Sequence, residues 1–174
     1  MAIYEISGKR PRIGAGTFVH EAANVVGDVE IGKDCYVGSG AAIRGDFGAI
    51  RVGSGSSVQE NCVMHANPGI PCRVGDGCTI GHGAVLHGCT IENGALVGMN
   101  AVVSDGAVVG EGSVVAEGAV VPARHVVAPG RIAAGVPAKE IGAVSDGHRE
   151  LMKIGSAMYM KLTADYISNC RRIG

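Results

Sequence analysis

An aliphatic residue returns at every sixth position through most of the chain. It stands at Ile13, Val19, Val25, Ile31, Val37 and Ile43, then at Val52, Val58 and Met64, and then at Val74, Ile80 and Leu86. A last run takes in Ile91, Val97, Val103, Val109, Val115, Val121 and Val127. Four residues after each beat the side chain is nearly always small, as at Ala23, Cys35, Ala41, Ser56, Cys62, Cys78, Ala84, Thr90, Ala95 and Ala101. The residue directly after the beat is often glycine, which tolerates turn geometry that a side chain resists. Large and small positions in this rhythm suit short strands meeting at tight corners. The pattern therefore predicts an all-β chain of stacked parallel strands around one continuous core, a parallel β-helix.

Hexads of this kind resemble those of left-handed hexapeptide β-helices, which fold with three hexads per triangular coil. The left hand is taken from that resemblance, since the general rule for crossovers favours the right. Each inward beat residue is expected to stabilise by roughly 1.5–3 kcal/mol. Cys35, Cys62 and Cys78 fall in the small inward slot and read as packing residues rather than metal ligands. The beat slips three times: Ile43 to Val52 carries three extra residues, Met64 to Val74 four, and Leu86 to Ile91 is one short. Such slips are expected to become protruding loops or local distortions, often on a binding face.

Taking every third hexad groups the chain into faces. On the face through Val25, Ile43, Met64, Leu86, Val103 and Val121, the residue after the beat is Val26, Arg44, His65, His87, Ser104 or Pro122, and glycine is abandoned. His65 and His87 are 22 residues apart; removing the four-residue insertion leaves 18, one coil. Their backbones are expected about 4.8 Å apart, the spacing of neighbouring strands. Arg44 lies one coil further along the same column, and Glu60 and His82 stack one coil apart at the third position of another face. Three imidazoles with an open fourth position suit a catalytic Zn2+, which lowers the pKa of its water to roughly 7 and supplies hydroxide at neutral pH. His82 lies on a different side from the other two, so a coil edge packed against a neighbouring copy is expected to supply it. His20, His125 and His148 read as ordinary surface histidines.

These residues resemble the γ-class carbonic anhydrase family over about residues 10–140. The resembling positions are Arg44-Gly45-Asp46, Gln59-Glu60-Asn61, His65 and Gly81-His82-Gly83-Ala84-Val85-Leu86-His87-Gly88. The resemblance implies a homotrimer whose metal sites lie between subunits. It further implies His65, His82 and His87 as ligands of Zn2+ (or Fe2+ or Co2+), with His82 contributed by the neighbour. Arg44 and Asp46 are implied as a structural and bicarbonate-binding pair, Gln59 as the residue that orients solvent, and Tyr159 as a tyrosine near the metal. Arg44-Gly45-Asp46-Phe47-Gly48, Asn61-Cys62-Val63-Met64-His65 and Leu96-Val97-Gly98-Met99-Asn100-Ala101-Val102-Val103 are similar to the phenylacetate-degradation and carnitine-operon branch, which is linked to CoA thioesters. Two departures stand out. Ser57 replaces an asparagine of the archetype, and residues 66–73 hold no carboxylate where the archetype has an acidic proton-shuttling loop. Regenerating the nucleophile needs a proton route, so CO2 hydration is expected to be weak unless buffer or Glu60 helps.

Composition narrows the classes. There are 29 glycines, 3% aromatic residues and a formal net charge of −1, which leaves no basic stripe for nucleic acid. No stretch approaches the ~18 apolar residues of a membrane span, and no N-terminal segment reads as a signal peptide. The six cysteines show no scaffold or CxxC spacing. A cytoplasmic protein with reduced thiols is expected. The beat fades after Val127, and residues 1–140 are assigned to the coil and 141–174 to a C-terminal helical segment. Leu151, Ile154, Met158 and Leu162 recur at helical spacing behind a Ser145 or Asp146 cap, predicting an apolar stripe against the coil or a neighbouring subunit. Gly155 argues against an unbroken helix.

Four functions follow from these residues. The leading one is a zinc-dependent, carbonic anhydrase-like enzyme converting CO2 to bicarbonate, with Arg44, Asp46, Gln59, Glu60 and Tyr159 serving the site. The others are an acyl-CoA thioesterase using the same metal site, a hexapeptide-repeat acyltransferase with a histidine base and no metal, and a non-enzymatic scaffold.

Overall fold

Register decides the architecture. In the computed structural model, which describes residues 2–174, the beat residues pair strand to strand in parallel and in sequence order. Met1, the first residue of the expected coil domain, lies outside the described residues. One column runs Val25, Ile43, Met64, Leu86, Val103 and Val121. A second runs Ile13, Ile31, Val52, Val74, Ile91, Val109 and Val127. A third runs Val19, Val37, Val58, Ile80, Val97, Val115 and Ala133. The chain is thus a parallel β-helix of about seven turns, consistent with the left-handed kind, closed by an antiparallel pair (Arg131–Ala134 with Lys139–Ala143) and a C-terminal helix.

The inward positions form one dry core, with Ile43, Met64, Ile80, Leu86 and Val103 all at 0% exposure. The small slot is set by the beat that follows it, two residues on, because alternate side chains of a strand share a face. Across the short step from Leu86 to Ile91 the inward small residue is therefore Cys89, buried, while Thr90 points outward and is half-exposed. A strict six-residue count assigns Thr90 to that slot instead. Cys72 is buried in the same column by the same rule, so five thiols lie inside the coil and Cys170 alone is exposed.

One corner column is polar throughout except at Ala95. Thr17, Ser56 and Ser113 donate their hydroxyls to the carbonyls of Gly32, Gly75 and Ala128 at 2.7, 2.8 and 2.8 Å. The thiols of Cys35 and Cys78 donate to the carbonyls of Gly53 and Glu92, both at 3.1 Å. Small side chains there satisfy carbonyls that the turn leaves over.

The slips behave differently from one another. Residues 66–71 form a true loop. Residues 42–52 do not: the insertion is absorbed in a continuous strand, Ala42–Val52, which follows Asn24–Ile31 around a corner with an irregularity near Gly27. That irregularity forces Phe47 outward, to 60% exposure.

The helix Asp146–Asn169 runs unbroken through Gly155. Tertiary packing outweighs the roughly 1 kcal/mol propensity cost of one glycine. Ser145 is its cap and forms a reciprocal capping box with His148, so that histidine closes a helix end rather than standing idle on the surface. The face docked on the coil is not the Leu151, Ile154, Met158 and Leu162 stripe, so of its two expected places only a neighbouring subunit remains. Tyr159, Thr163 and Tyr166 turn to the coil, where Tyr159 and Tyr166 pack on Tyr36 (centroids 5.2 and 5.7 Å) and Tyr166 on Phe18 (4.8 Å). Leu151 and Met158 face outward at 68% and 67% exposure, and Ile154 is also exposed; only Leu162 of that stripe is half-buried. These aromatic pairs, each worth about 0.5–1.5 kcal/mol beyond the area they bury, set the helix rotation.

Candidate functional site

The coil gathers the expected residues at two corners of the face that carries Val63 and Val85. At the trailing corner, Arg44, His65 and His87 stand one per coil, directly paired in register. Their side chains form a continuous chain of contacts. Arg44 Nη1 donates to Asp46 Oδ2 at 2.6 Å. His65 Nε2 lies 3.0 Å from Asp46 Oδ1, and His87 Nδ1 lies 2.7 Å from Asp105 Oδ1. Carboxylate oxygens only accept, so both of these ring nitrogens carry the proton. The remaining nitrogens, His65 Nδ1 and His87 Nε2, face each other at 3.1 Å.

Asp46 is well supported as an anion. Burial by itself would raise its carboxyl, but Arg44, His65 and the Phe47 N–H outweigh that and hold it below the ordinary aspartate value. Lys9 Nζ donates to its backbone carbonyl at 2.9 Å. The Arg44 side chain is 51% exposed with one N–H committed to Asp46, so further donors face solvent beside the two imidazoles. Phe47 covers His65 at a ring separation of 5.7 Å.

The leading corner holds the second group. His82 Nδ1 donates to Glu60 Oε2 at 2.6 Å, and Tyr36 Oη donates to Glu60 Oε1 at 2.8 Å. Burial would raise the Glu60 carboxyl; the Tyr36 hydroxyl and His82 reverse this and hold it low. The burial of its ring, and after it the same contact with Glu60, push the Tyr36 hydroxyl well above the ordinary tyrosine range. Tyr159 packs on Tyr36, and burial together with the Glu60 charge pushes it up to about 12. Gln59 is buried, its backbone N–H on the Ile80 carbonyl.

Within one chain the two groups remain apart. Among the described residues no three His, Cys, Asp or Glu side chains converge as a metal-binding cluster. Tyr159 joins the Glu60 and His82 group, not the His65 and His87 pair.

Counting hexads misses three residues that the structure supplies. Asp105 comes from the coil after His87 but one position beyond its register partner, because the step from Leu86 to Val103 is 17 residues. Asn67, from the loop that lacks carboxylates, places Nδ2 3.3 Å from both Asp105 oxygens. Tyr36 sits just before a beat and reaches Glu60 by its length alone. Asp105 was findable by allowing a one-residue offset in the column; nothing in the sequence singles out Tyr36.

The chain matches the family described as bacterial transferase hexapeptide (six repeats) over residues 10–45 and 88–123, and the hexapeptide repeat of succinyl-transferase over 28–67 and 57–87. An X-ray structure from Bacillus cereus described as a "putative acetyltransferase" is 32% identical, covering 96% of this chain and 97% of that one with a TM-score of 0.95. The chain belongs to the hexapeptide transferase family. A hexapeptide transferase family protein from Anaplasma phagocytophilum is 33% identical over 95% of this chain and 98% of its own, with a TM-score of 0.91. The carnitine operon protein CaiE of Escherichia coli is 39% identical over 65 residues, which are 37% of this chain and 33% of that protein. The match thus spans about a third of the length of these curated relatives. Among the described residues no helix is long and apolar enough to cross a membrane.

Proposed function

We propose that the chain is a metal-dependent hydratase or hydrolase of the carbonic anhydrase-like kind, acting on CO2 or on the carbonyl of an acyl-CoA thioester. The observation that carries this reading is the close approach of His65 Nδ1 and His87 Nε2, 3.1 Å apart, with both outer nitrogens anchored on carboxylates. So close an approach is satisfied by a proton shared between the two nitrogens or by a metal ion bound to both. Two imidazoles on a tetrahedral Zn2+, each at about 2.05 Å, would stand roughly 3.3 Å apart, and a histidine bound to zinc typically donates its other N–H to a carboxylate. The donor set therefore fits Zn2+, Fe2+ or Co2+ held by His65 and His87.

When bound, such an ion supplies Lewis acidity and lowers the pKa of water to roughly 7. Asp46 and Asp105 hold the two rings in place. Arg44, itself fixed by Asp46, offers its remaining N–H donors to an anionic carboxylate product. Phe47 shields one flank from water. The third imidazole, His82, has a free Nε2 and would come from a second copy, in a homotrimer. Val63 (40% exposed) and Met99 (46% exposed), apolar residues around this face, support burial between copies. Gln59, Glu60 and Tyr159 would then serve the site from the neighbour's side.

Metal analysis of anaerobically purified protein, with stopped-flow CO2 hydration run beside acyl-CoA hydrolysis, tests this. The expected result is about one metal per chain and an activity lost with chelator, with His65→Ala and with His87→Ala. Brisk CoA release without hydration makes the thioester the substrate. Metal-free protein whose activity ignores chelators overturns the reading.

A second reading, a CoA-dependent acyltransferase, is favoured by the family and by the second corner. There Glu60 accepts from His82 Nδ1, leaving Nε2 as a base for an acceptor hydroxyl or amine, and Tyr36 holds Glu60 in turn. CoA release that requires an acceptor, ignores chelators, and is lost in His82→Ala but kept in His65→Ala would establish it.

A further inference from the structure

We infer that Asp105 is the positioning residue of the histidine pair. It fixes His87 as the Nδ1–H tautomer, aims Nε2 at His65, and ties the 66–71 loop to the same carboxylate through Asn67. Three observations converge on it. The contact to His87 Nδ1 is short, 2.7 Å, in a direction that leaves only the other nitrogen for the pair. Asn67 Nδ2 meets both carboxylate oxygens at 3.3 Å, so the acid is held from the loop side as well. Gly88, next to His87, has φ +55°, and a Cβ there would meet Asp105 Oδ1; the glycine leaves the room in which the carboxylate passes beside the imidazole.

The loop that carries no acid of its own is thereby furnished with one from the following coil. A carboxylate in this place does what no residue of the loop does. It makes one tautomer of His87 the lower in energy before anything binds, so the pair is preorganised rather than assembled by its ligand. Asp46 holds His65 from the preceding coil through the other ring position, Nε2, so each ring is anchored by one acid.

Nitrogen NMR of the ligand-free protein reads the tautomer directly. The expected result is Nδ1–H at His87 in the native protein. That state should be retained in Asp105→Asn, whose amide oxygen still accepts, and lost to a mixture in Asp105→Ala. Asn67→Ala, which frees only the loop, should leave the tautomer unchanged while speeding amide exchange in 66–71. Zinc affinity measured against a chromophoric chelator should fall about 10- to 100-fold in Asp105→Ala, with Asp105→Asn between it and the native chain. The affinity arm rests on the metal-dependent reading and the tautomer arm does not. A native protein without zinc affinity thus defeats that reading alone. A His87 that carries its proton on Nε2 and none on Nδ1 in the native protein, or an Asp105→Ala variant with native tautomer, overturns the role of Asp105. Thermal melts of each variant separate misfolding from either result.

Discussion

Ser56→Ala isolates the polar corner that runs the length of the coil. Ser56 is 1% exposed; its hydroxyl donates to the Gly75 carbonyl at 2.8 Å and accepts the Cys78 N–H at 2.9 Å. Removing the oxygen leaves a buried donor and a buried acceptor without that partner, each costing roughly 1–3 kcal/mol, so a net loss of about 2–4 kcal/mol is expected. For a chain of this size that is a fall in Tm of roughly 5–15 °C. The reciprocal change is Ala95→Ser, at the one position where the column lacks a donor. By register its hydroxyl would face the Gly110 carbonyl, as Ser56 faces Gly75 and Ser113 faces Ala128. A gain of about 1 kcal/mol is expected. Guanidinium unfolding followed by circular dichroism, at fixed protein concentration, measures both. If Ser56→Ala loses less than about 0.5 kcal/mol and Ala95→Ser gains nothing, the corner bonds are geometric company and not a source of stability.

Leu86→Ala removes a fully buried side chain stacked between Met64 and Val103, and a loss of about 2–5 kcal/mol is expected from denaturant midpoints. A drop under about 1 kcal/mol would mean the coil closes around the gap. Gly88→Ala places a Cβ on a left-handed backbone and into the Asp105 carboxylate; a loss above about 1–2 kcal/mol is expected by thermal melting, and a native Tm would show that Asp105 is free to move. Spectrophotometric titration at 295 nm should find two tyrosines late, Tyr36 and Tyr159, the latter ionising at about 12. Because they ionise later folded than unfolded, their contribution to stability is complete below about pH 10 and is lost as pH rises towards 12. Tyr159→Phe should remove one late step, and a titration of the native protein finished below pH 11 would contradict the burial assigned to both rings.

The sequence alone determined the coil and most of its register. A residue's face in a solenoid follows from its count along the chain, and each repeat touches only its neighbours. That is why Arg44, His65 and His87 could be put in one column, and Glu60 with His82 in another, before any coordinates. Where the count was irregular, local strand geometry and not the count prevailed, as at Cys89 in place of Thr90 and in the phase shift of the unbroken strand at Phe47. What only the tertiary structure decided is how side chains leave their own positions. Asp105 reaches back beside Gly88, Tyr36 reaches forward to Glu60, and three aromatic contacts turn the C-terminal helix so that Leu151 and Met158 face outward. Position along the chain fixes where a backbone lies in a regular coil; the length, direction and competing partners of a side chain fix where its chemistry ends, and those depend on neighbours that no period encodes.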